Sequence, residues 1–331
     1  MNNNNFFVKY PSIFLSFWYN NNGDNMRKLF AFLVIIGTVF ILYIYKDELF
    51  EYVILNYVYS EEFVQDSYNE YKSSYNNSFV KQTDSYKPLN KQDILNIIYS
   101  GLNNGWSEFS YFCSLDYTEC LDDSKNITND PVTISYINNF IHPYNSFNNI
   151  KVSINNLGKV TITVTKLYTE NDIKEINAKV DQIYNSIIND NMPTIEKIKA
   201  IHDYIINNTV YDSEKADNLN NPNYTAKYKS QTAYGPLLQG YGICGGYSDA
   251  MALFLDKMNI PNYKISSENH VWNLVYIDNK WLHLDLTWDD PVVSTKENML
   301  LHNFFLITSE ELEEKNTGQH IYDKNIFKEA K

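Results

Sequence analysis

Residues 29–45, LFAFLVIIGTVFILYIY, run for 17 positions without a charge. A stretch this apolar has two physical destinations, a protein core or a lipid bilayer. At a rise of ~1.5 Å per residue it is just long enough to cross the hydrocarbon. Arg27 and Lys28 precede it, and Lys46, Asp47 and Glu48 follow. The basic pair favours the N-terminus inside and the rest of the chain outside, a preference that Lys46 weakens a little. A cleaved signal peptide would end in small residues. The chain continues instead as YKDELFEYV, which reads as an uncleaved anchor, with a buried core helix as the competing reading. Met26, directly before the basic pair, is a second candidate start. Residues 1–25 show little pattern beyond the aromatic-rich FFVKYPSIFLSFWY.

The 331 residues suffice for one large or two modest domains. A formal charge of -13 and a pI of about 4.9 give nucleic-acid binding no global support. The expected organisation is an N-terminal cytoplasmic segment at 1–28, a transmembrane anchor at 29–45, a Tyr-, Ser- and Asn-rich stalk at 46–88, an α+β subdomain at 89–168 and a second domain at 169–331. In the subdomain, Ile94, Ile97, Ile98 and Leu102 recur at helical spacing over 90–104. NIKVSI and KVTITVTKLY alternate around NNLG, which predicts a hairpin over 149–168. Helices are expected at about 171–189 and from Pro193 onward. Residues 210–240 read as a long loop.

Of three cysteines, Cys113 and Cys120 stand in FCSLDYTEC with six residues between them. Outside the cytoplasm they could form a small-loop disulfide; two free thiols is the equal alternative. A zinc pair needs a tighter spacing and a partner pair. Cys244 is left over, between Ile243 and Gly245, ahead of a helix expected over 247–259.

The segment HVWNLVYIDNKWLHLDLTWDD permits a geometric test. If Asp278 and Asn279 form a two-residue turn, Ile277 opposes Lys280 and Trp272 opposes Asp285. One face then carries Val271, Val275, Ile277, Leu282, Leu284 and Leu286, with Asn273 its one polar member; it is the expected core face. The other carries His270, Trp272, Leu274, Tyr276, Trp281, His283 and Asp285, so that His270 and Asp285 are diagonal neighbours. A one-residue slip would break this agreement.

This arrangement gives Cys244 a reason. A thiolate is a nucleophile, and a helix N-terminus favours it through partial positive charge. An imidazole can take the proton and return it to a leaving amine. A carboxylate on the far ring nitrogen fixes the tautomer. Gly245 and Gly246 would let a substrate backbone approach closely.

The stretches GYGICGGYSDAMALFL, HVWNLVYIDNKW and HLDLTWDDP resemble the bacterial branch of the transglutaminase-like superfamily, within the papain-like thiol enzymes, in the order Cys, His, Asp. The tail NFFLITSEELEEKNTGQH resembles that branch's closing strand and trailing His, here His320. The resemblance covers about residues 170–331, and 90–170 more weakly. It implies an α+β papain-like core with the Cys helix packed on an antiparallel sheet. It implies Cys244 as nucleophile, His270 as general base and acid, and Asp285 as the orienting carboxylate. The backbone N–H of Cys244 would donate to an oxyanion; Gln239 could add an amide, although its spacing is not quite that of the papain-like proteases. Trp272 is expected to wall the cleft.

His283 reads as a satisfied surface residue, His202 as a helix-surface or packing residue, Trp288 as structural, and Asp289 and Asp290 as turn caps. No phosphate loop, nucleotide motif or calcium-loop spacing is present, and neither a cofactor nor a metal is expected. The expected activity is thiol attack on an amide of a protein or peptide substrate, with cell-wall peptides suggested by topology alone. Resolution by water makes a peptidase or amidase; resolution by an amine makes a transglutaminase. The alternative is a non-catalytic surface or scaffold module retaining the fold.

Overall fold

The computed structural model describes residues 24–53, 69–73, 75–219, 221, 223–291 and 300–331. It divides into Met1–Glu62 and Phe63–Lys331. In the first unit, α1 spans Asp24–Ile44 and α2 spans Lys46–Val53. The window Met26–Ile44 has a mean hydropathy of 2.1 and none of it is buried. It is therefore no core helix, and it is long and apolar enough to span a membrane. Its Thr38 hydroxyl donates back to the Val34 carbonyl at 2.9 Å, which satisfies that donor within the helix. The middle of the expected stalk, 54–68, lies outside the described residues.

In the second unit, residues 75–88, expected as the end of the stalk, lie against α3 (Lys91–Asn103). The backbone of Lys81 donates to Asn96 and that of Thr83 to Ser100, and Val80 is fully buried. α3 starts at Asn90, whose side chain accepts from the Asp93 backbone. There follow β1 (Glu108–Phe112), α4 (Cys120–Asn129), α5 (Pro131–Asn139), β2 (Phe147–Ile154) and β3 (Lys159–Lys166). The antiparallel order is β1-β3-β2, with Gly158 at φ 79 in the β2–β3 turn. Cys113 and Cys120 form a disulfide that ties the end of β1 to the start of α4.

α6 (Glu170–Ile187) opens on a capping box between Thr169 and Asp172. α7 follows at Thr194–Asn207. The expected loop at 210–240 holds short elements: β4 (Val210–Tyr211), α8 (Ser213–Asp217) and a single wide turn at Gly235–Gln239. β5 (Tyr241–Gly242) pairs parallel with β4 and leads into α9 (Cys244–Lys257). The second sheet, β6-β7-β8, comprises Asn262–Ser266, Val271–Ile277 and Lys280–Leu284. α10 (Leu286–Asp289) and α11 (Ser309–Glu314) complete the chain.

The hairpin register is the one the alternation predicted: Ile277 opposes Lys280 and Asn273 opposes Leu284. Asp278 and Asn279 have φ 50 and 62, the two left-handed positions that a two-residue turn between right-twisted strands needs. The expectation of a single core face is corrected. Val275, Ile277, Leu284 and Leu286 face one core, with α6, α7 and α9; Tyr263, Ile265, Trp272 and Leu274 face another, with α3, α5 and β1. The sheet is thus covered on both faces, and α9, buried from Gly246 to Leu255, lies along it. The tail adds Phe304, Leu312 and Phe327 to the second of these cores, which is why the His-bearing face is closed.

Two outcomes test this architecture. Without reduction, an alkylating reagent modifies Cys244 alone; after reduction three thiols react, read by intact mass. Phe254→Ala, at a fully buried position on α9, lowers stability by about 3–5 kcal/mol in denaturant titration.

Candidate active site

Cys244 stands at the first position of α9, after Ile243 at the N-cap. Its backbone N–H is among those that have no acceptor within the helix. The approach is fixed by the loop beneath it. Gly240 takes a left-handed φ of 73 and ends the wide turn. The Ile243 amide donates to Ser230 O at 2.9 Å, and the Ser230 hydroxyl donates to the Asp212 carboxylate. A side chain at Gly246 would stand 2.2 Å from Ser230 O, and one at Gly245 3.0 Å from Gln231 O. These glycines allow close packing of the 230–232 loop against the helix start. Ser248 donates to the carbonyls of Cys244 and Val271, and Asn273 donates to Ser248 O at 3.0 Å. That is the purpose of the one polar residue on the apolar face: it pins the Cys helix to β7.

β7 begins after His270 and β8 ends before Asp285. His270 Nε2 lies 2.6 Å from Asp285 Oδ2, so the diagonal contact forms. Asp285 Oδ1 accepts from the backbone N–H groups of Thr287 and Trp288 at 2.9 and 3.2 Å. With Nε2 engaged, Nδ1 is the ring atom left for Cys244, whose thiol borders the same cavity and is a charge neighbour of the imidazole. Burial alone would push the imidazole down, but Asp285 outweighs it, and the pKa rises to about 10. Burial pushes Asp285 up, and the facing His270 and His320 more than reverse that, holding it well below the usual carboxylate range.

His320 is a fourth member of this cluster. Its Nε2 lies 2.8 Å from the same Asp285 Oδ2, and its Nδ1 is bonded to the Thr317 hydroxyl. Trp272, Trp288 and Phe304 enclose its ring at centroid distances of 4.8, 5.1 and 5.0 Å. The sequence marked His320 only as a trailing residue; a bridge of 35 residues to Asp285 leaves no local pattern. The expected closing strand is a single bridge, in which His283 and Ile307 exchange both backbone bonds.

Trp272 does not wall the cleft. It is 1 % exposed, stacks on the His270 ring at 5.6 Å, and donates from Nε1 to His283 Nδ1 at 2.9 Å. His283 is correspondingly buried rather than a surface residue; burial lowers its pKa to about 3, which makes it a neutral ring that accepts at Nδ1 and donates from Nε2 to Ser309. Gln239 spends its amide oxygen on the Lys229 backbone at 2.8 Å and does not line the cavity over the thiol. That cavity, of about 580 Å³, is bounded by Cys244, His270, Tyr211, Asn269, Thr287 and Gln319. Gln319 accepts from Trp288 Nε1 at 3.2 Å, which turns its amide nitrogen the other way. Tyr211 is close enough for the Cys244 charge to add to burial in raising its phenol pKa. Neither residue carried a sequence signal beyond adjacency to an element end. Asp289 and Asp290 are more than turn caps: Asp289 meets buried His202, and Asp290 accepts from the Tyr247 hydroxyl at 2.5 Å.

Two groups among the described residues bring metal-capable atoms within 4.8 Å of one another: His270, Asp285 and His320, and His202, Asp203 and His302. In the first, Asp285 already receives four hydrogen bonds and both imidazoles are turned to it.

Residues 181–286, about a third of the chain, match the transglutaminase-like superfamily. That segment, from within α6 to the start of α10, is a transglutaminase-like domain, and it takes in Cys244, His270 and Asp285. Similar solved structures include a transglutaminase, 17% identical with a TM-score of 0.32 over 46% of this chain and 47% of that one. Another is a proposed cysteine protease from Cytophaga hutchinsonii, 14% identical with a TM-score of 0.25 over 42% of this chain and 61% of that one. The chain thus spans about half to three fifths of the length of these two proteins. No curated protein matches it.

The signs of the two shifts set a stability profile. The His270 contribution is complete below the ordinary imidazole value of 6.5 and is lost as pH rises towards 10; the Asp285 contribution is present above 3.8 and lost as pH falls. Stability in thermal scans therefore declines between pH 6.5 and 10, and Asp285→Asn flattens that decline. The same substitution slows alkylation of Cys244 at neutral pH, since the imidazolium facing the thiol loses the carboxylate that raises its pKa and orients its ring.

Proposed function

We propose that this chain is a thiol enzyme that cleaves amide bonds through Cys244, His270 and Asp285. The observation that carries the reading is one imidazole held by a buried carboxylate at 2.6 Å while its other nitrogen is left to a half-buried thiol at the mouth of a cavity. The raised His270 pKa favours a thiolate–imidazolium pair. In this reading the Cys244 sulfur attacks the amide carbonyl carbon, forming the C–S bond and an oxyanion that the Cys244 backbone N–H receives. His270 Nδ1–H then passes its proton to the departing nitrogen as the C–N bond breaks, leaving a thioester. His270 next takes a proton from water or an amine as it attacks the thioester. The thiolate leaves with the product acid or a new amide, and the imidazolium is restored. Asp285 keeps the ring in place throughout and stabilises its charge.

Residues 26–44 would anchor the enzyme, with the catalytic unit facing outward if the Arg27–Lys28 pair is retained inside. Surface proteins or cell-wall peptides are then the substrates within reach. No cofactor enters any step.

The test is the pH dependence of Cys244 alkylation, followed by turnover of peptide amides with and without an added primary amine. In the wild type the thiol reacts readily at neutral pH, and His270→Ala slows it by at least ~10-fold. Cys244→Ala abolishes turnover and leaves substrate binding intact. Free acid as the sole product makes the enzyme an amidase or peptidase; incorporated amine makes it a transglutaminase. A thiol indifferent to His270, with no product of either kind, sinks the enzyme reading and leaves a binding module. Protease added to intact cells removes the C-terminal unit if it faces outward; protection inverts the topology.

A further inference from the structure

At the end of α10, against Asp289, lies a group that the proposed chemistry does not use. His202 on α7 is fully buried, and both its ring nitrogens face carboxylates: Nδ1 stands 2.9 Å from Asp203 Oδ1 and Nε2 stands 3.2 Å from Asp289 Oδ2. His302 presents Nε2 to the same Asp203 Oδ1 at 2.7 Å. Lys199 holds the other oxygen, Oδ2, at 2.7 Å. Phe305 packs edge-on to both rings, at 5.2 and 5.8 Å, and fixes their planes.

A neutral imidazole has one N–H. If His202 gives it to Asp289, which is itself fully buried, Nδ1 turns a lone pair towards Asp203 Oδ1 and His302 Nε2. Such a histidine, donating one nitrogen to a buried carboxylate and presenting the other beside further donors, has the arrangement by which proteins prepare a metal ligand. Two imidazole nitrogens and one carboxylate oxygen suit zinc, with its fourth position left to water. A tetrahedral ion with bonds of ~2.0–2.1 Å needs its ligands ~3.3 Å apart, about half an ångström wider than the present contacts. His302, on the exposed side, has the freedom to make that movement.

We propose that His202 Nδ1, Asp203 Oδ1 and His302 Nε2 form a binding site for a divalent zinc-class ion, with Asp289 orienting His202 and Lys199 holding the free oxygen of Asp203. The site is mechanically connected to the thiol cluster. Asp289 receives the Phe304 amide on its side chain at 3.0 Å and the Leu301 amide on its backbone at 2.9 Å, and Phe304 O receives the Asp285 amide at 3.0 Å. An ion here would clamp residues 300–305 to α7 and, through them, brace the strand end that carries Asp285. This role is independent of whether Cys244 is catalytic.

The test uses the full chain in detergent, stripped of metal and titrated calorimetrically with zinc, alongside His302→Ala, Asp203→Asn, Asp289→Asn and Cys244→Ser. The expected result is about one zinc per chain, lost in His302→Ala and Asp203→Asn, weakened ~10–100-fold in Asp289→Asn, and retained in Cys244→Ser. Zinc should also raise the melting temperature of the wild type and leave that of His302→Ala unmoved; since His302 is exposed, this variant does not depend on repacking a core. Cobalt in place of zinc should show a nitrogen/oxygen spectrum without a thiolate charge-transfer band. No stoichiometric zinc, zinc retained in both His302→Ala and Asp203→Asn, or zinc lost in Cys244→Ser with a thiolate band would each overturn the proposal.

Discussion

The carboxylate of Asp285 is the constraint around which the second unit is organised. It is buried, and a buried charge is tolerated only when its lone pairs are met. Here Oδ1 takes two backbone amides of α10 and Oδ2 takes two imidazoles, one from the start of β7 and one from the tail. Removing a partner from such a site costs about 3–5 kcal/mol in comparable buried pairs. The strand end, the short helix after it, the tail from Phe304 to His320 and the histidine facing the thiol are all held by this one group. The same contacts that stabilise the fold set the protonation state of His270.

The polar groups behind the site follow the same logic at lower charge. Trp272 stacks on His270 and passes its N–H to His283, which passes its own to Ser309 at the start of α11. A ring with a fixed neighbour on one face and a carboxylate at one nitrogen has little rotational freedom, which is what a proton-transfer group requires. The chain of hydrogen bonds ends on a capping helix, so the tail acts as a back wall rather than as an appendage. His202 and Asp289 play a matching part at the end of α10.

Much of this was legible because the relevant patterns are local. The hairpin needed only period-two alternation and an Asp-Asn pair able to adopt left-handed φ, and together they fixed the register that brings His270 to Asp285. The helix after Cys244 was readable for the same reason, although it begins at Cys244 itself, three residues before the expected start. The faces were misjudged because alternation reports two sides of a strand and cannot say whether the polar side meets water or another layer. Trp272 and His283 looked like cleft and surface residues until the tail and the first core were laid over them. Gln239 lost its expected place through a backbone contact ten residues away, with Lys229.

By itself the sequence determined an apolar helix of membrane-spanning length and the strand register that makes His270 and Asp285 neighbours, which follow from composition and short-range periodicity acting over a few residues. The α+β class and the order of thiol, imidazole and carboxylate came from the motifs' resemblance to the transglutaminase-like superfamily. Only the tertiary structure decided that His320 shares Asp285 with His270, that Cys113 and Cys120 are joined, that both faces of the second sheet are closed, and that His202, Asp203 and His302 converge. Each of those depends on where distant segments pack, and packing is settled by the burial of whole faces against one another, a quantity that no short stretch of chain contains.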